Sequence, residues 1–281
     1  MCSSDLKRAA LIAFLMGGDP SLERTPAIVA ALERGGVDLI ELGVPFSDPV
    51  ADGPVIQAGG ARALQAGANL RKILEVARNI RKTSEIPILL FTYLNPALRY
   101  GFENLGRDAK AAGVDGCLLT DLSVEEAAPY VESMRKAGMD TVFLAAPTST
   151  PERLKLVAQY STGFVYLVSR TGVTGERTAL ADSLQPLIKS MRAVTDLPLA
   201  AGFGISTPEQ AGAVAGMADG VVVGSALVRM IGEGATDAQL EAFARALRDK
   251  MNLREKMDSR SEEHTSELQS LAYLVCRLLL E

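Results

Sequence analysis

The sequence has little histidine and cysteine, and it lacks both a basic excess and a long apolar run. One histidine and three cysteines occur in 281 residues, and Cys2, Cys117 and Cys276 have no metal-binding or disulfide spacing. This cysteine usage predicts a reducing, cytoplasmic setting. The net charge is -5, so the basic footprint of a nucleic-acid-binding protein is missing. No apolar run reaches the roughly 18 residues of a membrane span.

The two ends of the chain do not share the pattern of the rest. Residues 259–270 resemble the translation of a common sequencing adapter, and residues 2–6 resemble the same adapter read from its reverse complement. We therefore expect one native domain at residues 7–258, flanked by adapter-derived segments at 1–6 and 259–281. The alternative is an ordinary tail ending in an amphipathic helix at 271–280. If the tail is foreign, so is His264, and acid–base chemistry must use carboxylates, tyrosine, lysine or water.

Residues 7–258 alternate short apolar runs with longer amphipathic segments. Predicted strands are 9–15, 37–42, 88–91, 116–119, 141–145, 164–168, 199–201 and 220–223. Predicted helices are 22–34, 70–82, 102–112, 124–137, 152–160, 183–194, 208–215, 227–233 and 237–251. Apolar strands separated by helices are typical of a parallel sheet covered by helices. Eight such units predict an α/β fold, a closed (β/α)8 TIM barrel. An open doubly wound sheet is the alternative, but no G-x-G-x-x-G motif follows the first strand.

Two carboxylates lie at and after the end of the second predicted strand. Glu41 lies near the end of the apolar run 37–42, and Asp52 follows a turn rich in proline. Burial at a strand end raises the pKa of a carboxyl group and prepares it for proton transfer near neutral pH. We therefore predict that Glu41 is catalytic, and a structural salt bridge is the alternative. Asp52 also fits an ordinary turn, and Asp121 fits either a catalytic acid or a strand exit that leads into the cap of the next helix.

Glycine-bearing turns follow the sixth, seventh and eighth predicted strands. They lie at 172–175, 202–204 and 224–225. Free backbone N–H groups in such turns and at a helix start favour an anion. The loops after strands seven and eight are also the usual phosphate site of these barrels. The turns therefore predict a phosphate site, and the alternative is that the glycines only permit tight turns.

Motifs along the chain resemble those of the tryptophan synthase α subunit family. The longest and most specific is ELGVPFSDPVADGPVIQ at residues 41–57. Shorter matches are Phe14, GDP at 18–20, NP at 95–96, AGVDG at 112–116, SRTGVTG at 169–175, GFGI at 202–205 and ADGVVVGSA at 218–226. The resemblance covers residues 7–251, although other phosphate-binding barrels share the last two motifs. Family members also have a helix before the first strand, which we expect to be missing here.

The resemblance implies a lyase of tryptophan biosynthesis. Such an enzyme cleaves indole-3-glycerol phosphate to indole and glyceraldehyde 3-phosphate in a retro-aldol reaction, without a cofactor in this chain. The resemblance also implies Glu41 as the main acid–base group and Asp52 as the acceptor of the indole N–H. The implied partner is a pyridoxal-phosphate β subunit in an α2β2 heterotetramer. The implied substrate-binding residues are Phe14, Ile56, Tyr166, Thr174, Gly175, Gly202, Gly204, Gly224 and Ser225.

Two other functions are considered. The first is another phosphate-binding barrel isomerase, which Glu41 and its proline-rich loop disfavour. The second is an α-type subunit, non-catalytic or impaired, that only binds or activates a β subunit. Intact Glu41 and Asp52 disfavour that function.

Overall fold

The computed structural model describes residues 8–168, 177–202 and 204–253. Over these ranges, parallel strands alternate with helices along the chain. The strands are β1 (Ala10–Met16), β2 (Leu39–Gly43), β3 (Ile88–Thr92), β4 (Gly116–Leu119), β5 (Asp140–Thr141), β6 (Phe143–Ala145), β7 (Val165–Val168), β8 (Leu199–Gly202) and β9 (Gly220–Val223). The helices are α1 (Thr25–Arg34), α2 (Pro54–Gln65), α3 (Leu70–Arg81), α4 (Leu94–Tyr100), α5 (Phe102–Ala111), α6 (Ala128–Lys136), α7 (Pro151–Tyr160), α8 (Arg177–Arg192), α9 (Pro208–Ala215), α10 (Ser225–Gly232) and α11, residues 237–253.

The strands form one parallel sheet that closes on itself. Neighbours follow the order β5-β4-β3-β2-β1-β9-β8-β7-β6. β5 pairs with β4 and β6 pairs with β7, while only Val142 separates β5 from β6 in the chain. The two segments are therefore one interrupted strand that joins both edges of the sheet, and they correspond to the single predicted strand at 141–145. The predicted (β/α)8 barrel is confirmed, and the open-sheet alternative is wrong.

Alternate residues of the strands point into the barrel, because successive side chains leave opposite faces of a strand. Glu41 is the register partner of Leu89 on β3 and of Phe14 on β1. Leu89 belongs to the apolar cluster inside the barrel, so Glu41 and Phe14 point inward as well. That cluster consists of Ile12, Leu89, Leu118, Val142, Phe164, Tyr166, Ala200 and Val222.

The helices cover the outside of the barrel with their apolar faces. In α3 the buried residues follow the i, i+3, i+4 spacing of one helix face, and they include Leu70, Ile73, Leu74, Ala77 and Ile80. The Asn69 side chain begins this helix by accepting a hydrogen bond from the Lys72 N–H, 3.2 Å away. Within the described residues, no helix combines the length and apolar character needed to cross a membrane.

Three helical segments differ from the predictions, in addition to α8, which begins at residue 177 and not at the predicted residue 183. The sequence pattern does not predict α2, which contains Gly59 and Gly60, or the seven-residue α4, which contains Pro96. Glycine and proline both disfavour helices. The predicted helix at 124–137 is divided into a 3-10 turn, Val124–Glu126, and α6. Pro129 explains the division, because proline lacks an N–H and is well tolerated only in the first turn of a helix.

Candidate active site

A cavity of about 290 Å³ opens at the carboxyl-terminal ends of the strands. It unites residues from β1, β2, β3, β7 and β9 with the loops that follow β2, β8 and β9. Eight of the residues predicted for the site line it: Phe14, Glu41, Asp52, Ile56, Tyr166, Gly204, Gly224 and Ser225. The other lining residues are Ala51, Gly53, Phe91, Ile205 and Val222.

Glu41 is fully buried at the inner wall of this cavity. Neither of its carboxylate oxygens has a hydrogen-bond partner among the described residues. Desolvation raises its pKa from the ordinary value of 4.5 to about 8, because a buried carboxylate loses the water that stabilises its charge. At neutral pH the side chain is therefore an acid with a proton to donate.

Asp52 reaches the cavity from the loop between β2 and α2. The backbone N–H of Ala51 donates to the Tyr93 hydroxyl at 3.1 Å, and this hydroxyl also forms a hydrogen bond with the Asp52 carboxylate. Burial raises the pKa of Asp52, while the bond from Tyr93 acts in the opposite direction. Asp52 is half-buried, so it is held by the protein while one side remains open to the cavity.

Tyr93 is not among the site residues predicted from the sequence. Its position was the available signal, because Tyr93 directly follows β3 and therefore lies at the carboxyl-terminal face of the barrel. Nothing in the sequence connects it with Asp52, which lies on the preceding βα loop. Only the folded chain brings the two side chains together.

Aromatic and aliphatic side chains form the apolar part of the cavity. The rings of Phe14 and Phe91 meet edge to face, with centroids 5.1 Å apart and an interplanar angle of 74°. Ile56, from the first turn of α2, and Val222, from β9, complete the lining. Phe91 could have been found from strand alternation, since it lies two residues beyond Leu89 on the same inward face. This surface suits a flat apolar ring.

The polar end of the cavity is formed by two turns. Gly204 has a φ of 79°, a left-handed conformation that favours glycine. Gly224 immediately precedes α10, and Ser225 is its first residue. The first backbone N–H groups of a helix have no partner within the helix, and together with the helix dipole they attract an anion. The geometry is therefore suitable for a phosphate group.

Gly202 has a different environment from the other predicted glycines. It is not among the described lining residues, and it lies against the Tyr166 ring. A β-carbon on Gly202 would lie 2.8 Å from Cζ of Tyr166 and still closer to the hydroxyl oxygen. Gly202 therefore makes space for Tyr166, and its binding of phosphate stays a prediction. Thr174 and Gly175 lie outside the described residues.

Asp121, considered from the sequence as an acid or a cap, has a structural partner. Its Oδ1 accepts a hydrogen bond of 2.6 Å from the N–H of Leu94, the first residue of α4. Asp121 is not among the described residues that line the cavity. Asp121 therefore caps a helix that precedes it in the chain, whereas the sequence pattern predicts a cap for the helix that follows, where Ser123 makes no side-chain cap hydrogen bond.

A closed parallel barrel with a buried carboxyl group in the cavity at its carboxyl-terminal mouth defines the class of this protein, a (β/α)8-barrel enzyme. Residues 3–260 match the family model described as tryptophan synthase alpha chain. The chain belongs to the tryptophan synthase alpha chain family. A tryptophan synthase alpha chain from Solibacter usitatus is 63% identical over 251 residues, which cover 88% of this chain and 94% of that protein.

Solved structures lead to the same family. The tryptophan synthase subunit alpha from Legionella pneumophila is 33% identical with a TM-score of 0.80, and the match covers 89% of this chain and 95% of that one. A chain from the tryptophan synthase a2b2 complex of Pyrococcus furiosus is 42% identical with a TM-score of 0.79, covering 85% and 98%. These matches agree with a lyase of tryptophan biosynthesis and do not support the two other functions considered from the sequence.

Proposed function

We propose that this chain cleaves indole-3-glycerol phosphate to indole and glyceraldehyde 3-phosphate, with Glu41 as the acid–base group. The family to which the chain belongs is that of a carbon–carbon lyase with this activity. The observation that carries the assignment of Glu41 is its burial in the cavity with a pKa raised to about 8. A carboxyl group that is neutral at pH 7 can first donate a proton and then accept one.

The reaction requires one proton to reach carbon C3 of the indole ring and another to leave the side-chain hydroxyl. Protonated Glu41 donates to C3, which turns the ring into a leaving group. The resulting carboxylate accepts the hydroxyl proton as the bond between C3 and the hydroxyl-bearing carbon breaks. The electron pair of that bond returns to the ring and neutralises its positive charge. Glu41 ends in the protonation state in which it began, so no external acid or base is consumed.

Asp52 supports the same step from the other side of the ring. Its carboxylate accepts the indole N–H and stabilises the positive charge that the ring carries after protonation at C3. The hydrogen bond between Asp52 and the Tyr93 hydroxyl supports this role, because a carboxylate that is already oriented needs less reorganisation during the reaction.

The substrate is bound at two ends. Phe14 and Ile56 contact the indole ring, and Tyr166 lies beside the substrate. The backbone at Gly204, Gly224 and Ser225 holds the phosphate, with Gly175 and Gly202 as further members of that site by resemblance. A role for Thr174 in closing over the reacting groups is likewise implied by resemblance alone. The cavity volume of about 290 Å³ and its mixture of apolar and glycine-rich walls support this arrangement.

The chain acts without a cofactor of its own, in agreement with its family. The indole product passes to a pyridoxal-phosphate β subunit in an α2β2 complex in the cytoplasm. The match to a chain of the Pyrococcus furiosus a2b2 complex supports this partner.

Release of indole from indole-3-glycerol phosphate tests the assignment directly. The Glu41→Gln variant should lose about 10²–10⁴-fold in kcat, which is the usual contribution of a proton-transfer group. Glu103→Gln is the matched control, since Glu103 is exposed on α5, and this variant should keep the rate of the unaltered chain. Equal rates for the unaltered chain and Glu41→Gln would reject Glu41 as the acid–base group.

The pH dependence of kcat/KM gives a second test, because this quantity reports the ionisation of the free enzyme. Glu41 must begin the reaction protonated, and its pKa is about 8. We expect kcat/KM to be level at neutral pH and to fall about tenfold per unit well above that pKa. A rise through the same region would mean that Glu41 begins as a base.

A further inference from the structure

An ion pair joins a buried carboxylate, Asp19, to the partly exposed side chain of Arg62. Asp19, in the loop after β1, is only 1% exposed. Both of its oxygens accept hydrogen bonds from Arg62 of α2, one from Nε and one from Nη2, each at 2.8 Å. The two parallel bonds fix the orientation of the planar guanidinium group, which a single contact could not do. Neither residue is among the described residues that line the cavity.

The same guanidinium also contacts α10. Nη2 of Arg62 lies 3.5 Å from the carbonyl oxygen of Val228. A β-carbon on Gly232 would lie 2.6 to 2.9 Å from three atoms of the guanidinium group, so glycine leaves the space that the ion pair occupies. On α2, a β-carbon on Gly59 would lie 2.7 Å from the Val228 side chain and 3.1 Å from Oδ2 of Asp19. Two helices and the β1 loop therefore meet closely around one ion pair.

These two helices carry opposite ends of the cavity. α2 begins directly after Asp52 and Gly53, and its first turn contains Ile56. α10 begins at Ser225, directly after Gly224, in the turn suited to an anion. A change in the separation of α2 and α10 would therefore change the distance between the apolar end and the polar end of the cavity.

We propose that Asp19 and Arg62 are positioning residues that set the span between the indole subsite and the phosphate subsite. This inference rests on the proposed function, since it assumes a substrate with a ring at one end and a phosphate at the other. Burying the Asp19 carboxylate is costly, and an ion pair that offsets this cost is weak evidence for stability alone. It does impose one geometry, and a displacement of about 1 Å in a bound substrate can cost about 10²-fold in rate.

The test compares ligands that occupy one subsite with ligands that span both. Indole and inorganic phosphate are the single-subsite probes. The spanning probes are indol-3-yl alkyl phosphates with chains of two, three and four carbons, of which the three-carbon chain matches the substrate. In the unaltered chain we expect the three-carbon ligand to bind about tenfold more tightly than the other two. In Arg62→Lys, which keeps the charge but loses the fork, this preference should disappear while the affinities for indole and phosphate change less than about twofold.

Asp19→Asn should lose the same length preference, and it provides a second variant if Arg62→Lys does not fold. Arg81→Lys is the matched control, because Arg81 pairs with Asp115 at 2.7 Å beside the starts of β3 and β4. It should keep the preference even if thermal unfolding shows lower stability. The proposal is overturned if the unaltered chain has no length preference, or if either variant at the ion pair folds and retains it. Failure of the unaltered chain to release indole from indole-3-glycerol phosphate would instead overturn the proposed function, because the binding series does not depend on turnover.

Discussion

The two ends of the barrel use carboxylates in opposite ways. At the amino-terminal ends of the strands, three aspartates each stand immediately before a strand. Each accepts a hydrogen bond from the backbone N–H of a neighbouring strand and forms an ion pair with an arginine. The sets are Asp38 with Leu11 and Arg248, Asp115 with Ile88 and Arg81, and Asp219 with Leu199 and Arg192.

At the carboxyl-terminal ends, Glu41 has neither kind of partner among the described residues. It is more deeply buried than Asp38, yet nothing compensates the loss of water around its charged form. A carboxylate with hydrogen-bond and ion-pair partners links neighbouring secondary-structure elements. A buried carboxylate without such partners destabilises the folded protein when it is charged. The amino-terminal face of the barrel therefore stabilises the fold, while the carboxyl-terminal face keeps a proton ready for transfer, as is general in barrel enzymes.

The largest expected effect concerns the pH dependence of stability. Glu41 loses its proton near pH 4.5 in the unfolded chain but only near pH 8 in the folded protein. Between these values the folded protein binds more protons, so the contribution of Glu41 is fully present below about pH 4.5 and is lost as the pH rises towards 8. Relative to Glu41→Gln, the unaltered chain should therefore lose up to about 4 kcal/mol of unfolding free energy between pH 5 and pH 8. Urea unfolding of both proteins at both pH values measures this loss. If the difference in unfolding free energy between them is the same at pH 5 and pH 8, the pKa of Glu41 is not raised in the folded protein.

A smaller effect is expected at the opposite end of the barrel. Asp38→Asn removes the charge that pairs with Arg8 and Arg248, and it should lower the unfolding free energy by about 3 kcal/mol. The kcat for indole release from the folded variant should stay within about threefold of the unaltered chain, because Asp38 lies away from the cavity. Unfolding in urea and a rate measured at saturating substrate separate the two quantities. A tenfold loss of kcat with little loss of unfolding free energy would show that Asp38 acts in catalysis and not in stabilising the fold.

The contact between Gly202 and Tyr166 tests how tightly the active face is packed. Gly202→Ala forces a methyl group against the Tyr166 ring and should cost about 1–3 kcal/mol of unfolding free energy. The added change Tyr166→Phe should recover part of this cost, because it removes the nearest atom. Gly60→Ala is the control: its new β-carbon would meet only Met16, at 3.7 Å, so thermal unfolding should show no loss. Equal behaviour of Gly202→Ala and Gly60→Ala would contradict this packing.

The smallest effect is expected for an exposed ion pair. Arg34, on α1, donates to Glu241 on α11 at 2.8 Å, but the Arg34 side chain is 54% exposed. Water and salt screen such pairs, and their usual contribution is below about 1 kcal/mol. Arg34→Ala should therefore change the unfolding free energy by about 0.5 kcal/mol or less. A loss as large as that of Asp38→Asn would contradict the comparison. Burial and hydrogen bonds from backbone N–H groups would then not explain why the Asp38 ion pairs contribute more to the unfolding free energy.

Much of the fold could be predicted from sequence periodicity. β4, β9 and α9 coincide with the predicted segments 116–119, 220–223 and 208–215, since their apolar spacing and flanking turns are strong local signals. α2 could not be predicted from local preference, because glycine lowers helix propensity. Its Gly59 instead allows close packing against α10. In α2, the packing against α10 outweighs the low helix propensity of glycine.

Residues of the candidate site could be predicted where the side chain itself is chemically reactive. Glu41 and Asp52 are carboxylates at a strand end and in the loop that follows, so the sequence alone indicates them. Phe91, Ile205 and Val222 are apolar residues like many others, and only the direction of each strand or loop makes them part of the cavity. Tyr93 and the Asp19–Arg62 pair depend on contacts between different βα units, which periodicity does not describe.

The order of strands along the chain, the barrel class and the position of Glu41 at a strand end all follow from local residue spacing, so the sequence is sufficient to predict them. The ionisation of Glu41 depends on the folded chain. Its pKa is raised by the removal of water, and the walls that exclude that water come from several strands and from loops far apart in the chain. Desolvation is a property of the whole enclosure, so no single stretch of sequence contains it.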